Sequence, residues 1–502
     1  MTASVFASPP PPPAPERFNL AAYVLEAATR QPDKTALAIL SPAGASRWRY
    51  GTLAQAVQGI ATGLRAQGLQ PGDRVLMRLG NEVEFPLCFL AAIWAGLLPV
   101  PASAALTEPE IDALAAELAP RLIVAAPGVS LPRVADCTVL PALALREMET
   151  EAPTPPAMGD PDRPAYIVYT SGTSGRPRGV VHAHRAIWAR RMMWDGWYGL
   201  RDSDRLLHAG AFNWTYTLGT GLLDPWTRGA TALIPGAGVT PALLPLLMKR
   251  HDATIFAAAP GIYRQMLDRH TSIDAPRLRH GLSAGETLSP RLGDAWRQAT
   301  GTAVHEALGM SECSTFISGS PGRPAPPGAT GYPQPGRHVA VLDEGGAPVP
   351  RGTPGTLALH RDDPGLMRGY LDAPDETAAR FSGPWFLTGD TVSMAEDDAI
   401  TYLGRADDML NAGGVRVSPM EIEAALLAHP GITEAACAEV TVKAETRVIA
   451  AFYTGPAPVP EDALAAFAAT RLARYKQPRL YEYRASLPRS GNGKLNRKAL
   501  RR

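Results

Sequence analysis

Apolar positions in the first three hundred residues follow two alternating rhythms. Residues 53–67 (LAQAVQGIATGLRAQ) space apolar side chains three and four apart, as one helix face requires, and Gly68 ends the run before the strand-like DRVLMRL. Further short apolar runs at 121–126, 165–169, 230–234 and 253–259 are bounded by Gly, Pro or Asp and predict more strands. Strands separated by helical patterns predict parallel sheets covered on both faces, so the expected fold class is α/β. Residues 85–107 (FPLCFLAAIWAGLLPVPASAALT) carry no charge and are long enough to cross a bilayer. Pro86, Pro99 and Pro101 interrupt them, which predicts instead a buried helix leading into a short core strand.

Beyond residue 319 Gly and Pro become dense, and short strands such as HVAVLD and TLALH predict a β-rich unit of hairpins. Near Arg405 the texture changes again, to a helix over 418–429, a strand pair and a last helix over 461–474. The expected divisions are a disordered Pro-rich arm at 1–17, a large domain at 18–404 and a small α+β domain at 405–502. The large domain is expected to hold two parallel-type α/β sheet subdomains and the β-rich subdomain.

Charge narrows the possible partners. Lys plus Arg total 49 against 48 Asp plus Glu, a net charge of +1. No global field favours nucleic acid or an anionic membrane, so a bound anion needs a local site. Cys88, Cys137, Cys313 and Cys437 have neither CxxC nor Cys/His spacing, which argues against a zinc site or a disulfide framework. The first residues lack the charged start and apolar core of a secretory signal, and a cytoplasmic location is expected.

The apolar run AYIVYT passes into SGTSG, RPRG and HAHRAIWARRMMW, which predicts strand, glycine loop and helix. Glycines let backbone N–H groups turn toward a ligand, Ser and Thr add hydroxyl donors, and a helix start adds a positive end, so phosphate is the natural ligand. The spacing is neither a Walker A loop nor a dinucleotide fingerprint. Four more stretches follow in order: SAGETLSP at 283–290, EALGMSEC at 306–313, WFLTGD at 385–390 with YLGRADDML at 402–410, and LPRSGNGKLNR at 487–497. Together with YTSGTSGRPRG they resemble the core motifs of the adenylate-forming superfamily, which holds acyl- and aryl-CoA synthetases, luciferases and peptide-synthetase adenylation domains.

That resemblance implies an acid–thiol ligase that uses ATP, Mg²⁺ and coenzyme A. It implies a phosphate loop at Thr170, Ser171, Gly172, Thr173, Ser174, Gly175 and Arg178, with arginine where lysine is usual. Ser311 stands in the place of a threonine near the α-phosphate, and Glu312 matches the residue that helps hold Mg²⁺. Ser283, Ala284, Gly285 and Glu286, with Glu306, Ala307 and Leu308, correspond to the adenine pocket; relatives often carry an aromatic ring where Leu308 sits. Asp390 matches the carboxylate that accepts from both ribose hydroxyls, and Arg405 matches a second ribose or phosphate contact. Lys494 resembles the lysine that a rotating C-terminal domain delivers for adenylation, Asp407 matches its hinge, and Gly413, Gly414 and Arg416 correspond to the coenzyme A channel.

The acid pocket is expected at Phe212, Trp214 and Tyr216, although aromatics at alternate positions also describe a plain strand face. Acetate-specific relatives carry tryptophan where Gly309 stands, and the glycine is expected to leave the pocket open. SAGETL, ADDML and VSPMEIE look most like the benzoate–CoA ligase branch. The expected substrate is therefore an aromatic or medium-size carboxylic acid, with short or medium fatty acids, or the loading of a carrier protein, as alternatives. Homodimerisation and control by acetylation of Lys494 are further expectations.

Overall fold

The short apolar runs become sheet strands because both faces of each sheet are covered. The structure, a computed structural model, describes residues 2–134, 137–170, 178–406, 408–412, 415–443, 446–489 and 494–501. Its largest sheet has nine strands, in the order Tyr332–Pro333, Ser314–Ser318, Val304–Met310, His280–Ala284, Ile255–Ala258, Arg205–His208, Thr231–Pro235, Thr35–Leu40 and Ala45–Arg49. Neighbours from Val304–Met310 to Thr35–Leu40 run parallel, and the strands beyond them at each end are antiparallel. Ile255–Ala258 and His280–Ala284 are buried at every position, as strands sandwiched between layers must be.

A second sheet of four parallel strands runs Leu98–Pro101, Arg74–Arg78, Leu122–Ala125 and Thr138–Pro141. Leu98 and Ala102 donate their N–H groups to Asp73 and Met77 on one side. Pro99 and Pro101 therefore present their donor-free nitrogens to the other side, where Pro164–Thr170 lies alongside. The preceding helix, Glu84–Ala95, is buried throughout and stops at Gly96, which takes φ +86°. Among the described residues no helix is long and apolar enough to cross a membrane.

Two expected elements differ. The segment after the glycine loop was expected to start a helix, but Arg178–Ala183 is a strand that pairs antiparallel with Pro164–Thr170, placing Thr170 opposite Arg178. Val180 and Val181 favour the strand, and the helix starts only at Arg185. The Pro-rich arm was expected to be disordered, yet Val5–Ala7 pairs with His338–Leu342 at the edge of the β-rich sheet. That edge offers unpaired N–H and C=O groups to an extended chain, and the Trp188 indole donates to the Pro12 carbonyl farther along.

The β-rich sheet continues through Gly355–His360 to Trp385–Met394, against which Ile400–Arg405 folds back. From Leu410 onward a separate core forms around Val417, Ile422, Leu426, Cys437, Ile449 and Leu464. Its sheet joins Glu434–Lys443, Thr446–Thr454 and Leu480–Tyr483. Helices Pro419–Leu427 and Glu461–Ala469 cover it; the second ends before residue 474 as the chain turns to bury Leu472.

Candidate active site

The carboxyl ends of two central parallel strands open the site. His280–Ala284 runs into Gly285 at φ +96°, a conformation that glycine adopts without strain, and then Glu286. The sheet register pairs Ser283 with Glu306 and Ala284 with Ala307, so the SAGE and EAL stretches stand side by side. Ala284 and Ala307 are buried, Leu308 is half-buried, and the Ser283 hydroxyl is buried with no partner. An orphaned hydroxyl at a strand end suits a polar ligand, since leaving it unpaired costs about 1–3 kcal/mol. Burial pushes the Glu306 carboxyl up to about 8, opposed by the Leu288 N–H that it accepts at 3.2 Å.

The strand carrying Glu306 ends in the turn Ser311, Glu312, Cys313 and returns as Ser314–Ser318. Its register slips between Leu308 and Gly309, and a Cβ at Gly309 would lie 2.4 Å from the Ser314 carbonyl and 2.5 Å from Thr315 Cα. Backbone approach across the hairpin thus requires the glycine.

Glu312 is 8% exposed and accepts from the Tyr370 hydroxyl at 2.8 Å. Its carbonyl accepts from Met367 N–H at 2.7 Å, fixing the turn against the Gly369–Tyr370 strand. His182 Nε2 lies 2.8 Å from the Ser311 carbonyl, which only accepts, so Nε2 donates and the neutral ring leaves Nδ1 bare. Burial lowers the His182 pKa to about 4, against the raising effect of that hydrogen bond. Among the described residues no three His, Cys, Asp or Glu gather as a metal cage. A single buried carboxylate fits Mg²⁺ held mostly by phosphate oxygens and water.

Asp390 and Arg405 face each other across paired strands, with Arg405 Nη1 3.1 Å from Asp390 Oδ1 and 3.1 Å from the Thr388 carbonyl. Burial raises the Asp390 pKa and Arg405 opposes the rise. Gly389 lets the guanidinium lie close, since a Cβ there would stand 2.9 Å from Nη2.

The small C-terminal domain completes the cluster. Lys494 Cε lies 3.9 Å from where a Gly285 Cβ would be, and Leu495 N–H donates to Glu286 at 3.3 Å. Lys494 keeps solvent access, but crowding by protein lowers its pKa; Glu286 and Asp390 oppose this and Arg405 reinforces it. The fold therefore brings Glu286, Asp390, Arg405 and Lys494 into one electrostatic group. An ammonium so placed can stabilise negative charge that builds up between two approaching anions.

The aromatic segment is not the strand face that its alternate spacing also describes. Residues 212–214 form a turn, and the chain is helical from Thr215 into the π-helical stretch Thr217–Leu223. Phe212 is buried and stacks on Phe85 at 5.0 Å, so it belongs to the core. Tyr216 packs edge-on to His208 at 4.4 Å and donates to the Leu282 carbonyl at 3.1 Å, while Trp214 is half-buried.

Arg178 forms an ion pair with Glu376 at 2.6 Å. Ser171, Gly172, Thr173, Ser174, Gly175, Asp407, Gly413 and Gly414 lie outside the described residues, and Arg416 is described only as part of the Val415–Val417 strand. Three site residues escaped the sequence reading. Tyr370, in GYLDAPDET, carried no chemistry by itself. Arg489 sits inside LPRSGNGK and pairs with Glu286 and Glu434, and His182 is tied to Ser311 only by the fold.

Comparisons with known proteins agree with this geometry. The model of the AMP-binding enzyme family matches residues 24–371, and that of the AMP-binding enzyme C-terminal domain matches 421–494. The chain is 31% identical to the benzoate–CoA ligase of Thauera aromatica, over 91% of each protein. It is 29% identical to the mitochondrial acyl-coenzyme A synthetase ACSM3 of Rattus norvegicus, covering 97% of this chain and 91% of the relative. The crystal structure of a benzoate CoA ligase from Burkholderia xenovorans LB400 matches with a TM-score of 0.86 at 28% identity, covering 97% of this chain and 100% of that one.

Proposed function

The chain belongs to the AMP-binding enzyme family, and from that premise we propose that it joins an aromatic or medium-size carboxylic acid to coenzyme A in two steps. In the first, a carboxylate oxygen attacks the α-phosphorus of ATP and the bond to pyrophosphate breaks. In the second, the coenzyme A sulfur attacks the acyl carbon, AMP leaves with the bonding electrons, and the thiol proton passes to solvent. The observation that carries the proposal is the placement of Lys494, delivered from the C-terminal domain beside Gly285, Glu286 and Asp390.

Each residue has a part in this scheme. Lys494 stabilises charge where carboxylate and α-phosphate meet. Asp390 accepts from the ribose hydroxyls, held in place by Arg405 and Thr388. Ser283, Ala284, Glu306, Ala307 and Leu308 wall the adenine, and Ser311 lies near the α-phosphate. Glu312, oriented by Tyr370, contributes a carboxylate oxygen to Mg²⁺, which when bound offsets phosphate charge. Thr170 and Arg178 flank the phosphate loop, and Arg178 exchanges Glu376 for a phosphate. Benzoate, in the names of two relatives, supports the aromatic acid.

A panel of carboxylic acids with ATP, Mg²⁺ and coenzyme A tests the proposal. The expected result is one pyrophosphate and one thioester per turnover, greatest with aromatic acids. Acylation of a phosphopantetheinylated carrier protein with no coenzyme A thioester would overturn the assigned acceptor.

A further inference from the structure

Two small cavities adjoin the catalytic turn, and both are lined by Tyr166, His182, Arg190 and Ser314. Each has room for about one water-sized group. One of them reaches Ser311 and Thr215, on the side where the acid is expected. This wall is polar by construction. Arg190 is 8% exposed and spans Asp224 through Nε and Nη2, at 2.8 and 2.6 Å, with Tyr198 and Ser314 as further partners. A Cβ at Gly219 would stand 2.2 Å from Arg190 Nη2, so the guanidinium lies flat on the glycine backbone.

Two features of the wall remain unexplained by packing. His182 is 3% exposed, and its Nδ1 has no hydrogen-bond partner although its Nε2 is engaged by Ser311. Ser314 sits at φ +64°, a left-handed conformation that is costly for a residue with a side chain. Its hydroxyl oxygen accepts from Arg190, which leaves its proton to donate.

A group that fits must accept from Ser314 or Arg190 and donate to a bare imidazole nitrogen. A second carboxylate on the acid is disfavoured, because Arg190 is already neutralised by Asp224 and the nearby Arg337 by Asp363. Neither arginine has charge to spare for an anion. An amino group donates well but accepts poorly. A hydroxyl does both and fills the volume of one water.

Building on the ligase reading above, we propose that Ser314, His182 and Arg190 form a subsite that selects a hydroxyl-bearing carboxylic acid, with the hydroxyl oxygen toward Ser314 and Arg190 and its proton on His182 Nδ1. Water occupies the subsite when the acid lacks the hydroxyl, and such acids leave the buried donors and acceptor imperfectly paired at the moment of closure.

The test is kcat/KM for benzoate against its 2-, 3- and 4-hydroxy derivatives, in the full-length protein with ATP, Mg²⁺ and coenzyme A. One hydroxy isomer is expected to exceed benzoate by about 10²-fold or more. Ser314→Gly removes the hydroxyl while adopting φ +64° freely, and is expected to narrow that ratio about tenfold with an unchanged thermal midpoint. Efficient use of benzoate with no hydroxy isomer preferred overturns the subsite and leaves the ligase reading standing. A ratio that Ser314→Gly does not move also overturns it. Absence of pyrophosphate and thioester with every acid removes the ligase reading, and the subsite with it.

Discussion

At Gly309 an alanine Cβ would stand 2.4 Å from the Ser314 carbonyl and 2.5 Å from Thr315 Cα, atoms of a paired backbone that cannot rotate away. Gly309→Ala is therefore expected to cost about 1–3 kcal/mol and to slow adenylation by displacing the Ser311–Glu312 turn. A lower denaturant midpoint together with a lower rate of pyrophosphate release would register both effects. Glu306 provides a pH test at the same scale. Its carboxyl holds the proton up to about pH 8 in the folded protein, against an ordinary value of 4.5. The folded state therefore binds the proton more tightly than the unfolded state. The stability this contributes is complete below pH 4.5 and falls away as pH rises toward 8. Glu306→Gln, which cannot ionise, is expected to flatten the fall, so unfolding midpoints at pH 6 and pH 9 should differ less in the variant than in the parent chain.

Among the secondary-structure elements, the helix Tyr50–Ala66 is set by a close crossing. A Cβ at Gly59 would lie 2.5 Å from the Glu149 carbonyl and 2.6 Å from that of Met148. Alanine gains up to about 1 kcal/mol of helix propensity over glycine, but the clash with fixed backbone outweighs it. Gly59→Ala is expected to lower the unfolding midpoint, whereas the same change at the open Gly68 turn is limited by its φ of +80° alone. This helix was legible because its apolar positions keep one period for seventeen residues. The hairpin Pro164–Thr170 with Arg178–Ala183 was misread, since only Val180 and Val181 mark the second strand before HAHRAIW imposes a helical texture. The π-helical turns after Tyr216 hid behind aromatics spaced two apart, which suggest a strand. Motif order singled out Glu286, Glu312, Asp390 and Lys494, and the fold brings Glu286, Asp390 and Lys494 together. Arg190 and Asp224, 34 positions apart and facing each other only after folding, left no such trace.

For the molecule as a whole, the decisive contact is between domains. Lys494→Ala is expected to slow acyl-adenylate formation on the order of 10²- to 10³-fold while sparing thioester formation from supplied acyl-adenylate. Equal loss of both steps would contradict a lysine that serves only the first. The contacts that hold this lysine in place are themselves ionic. Glu434 pairs with Arg264 of the large domain and with Arg489, five residues before Lys494, while Glu286 receives Leu495 N–H and a longer contact from Arg489 at 3.8 Å. Arg291 adds a bond to the Ile432 carbonyl at 3.3 Å. These groups are partly exposed, so screening limits each pair to roughly 0–1 kcal/mol and together they bias the domain's pose without locking it. Glu434→Gln keeps the size of the side chain and removes its charge from both arginines. Adenylation is expected to fall about fivefold, and the parent rate should approach that of the variant as salt is raised. Thioester formation from supplied acyl-adenylate is expected to hold or rise if, as the resemblance implies, the C-terminal domain rotates out of this pose for the second step. A variant slowed equally in both half-reactions at every salt concentration would mean that Glu434 supports the fold of the small domain, and that its orientation is set by the backbone contacts of Leu495 and Ile432 instead.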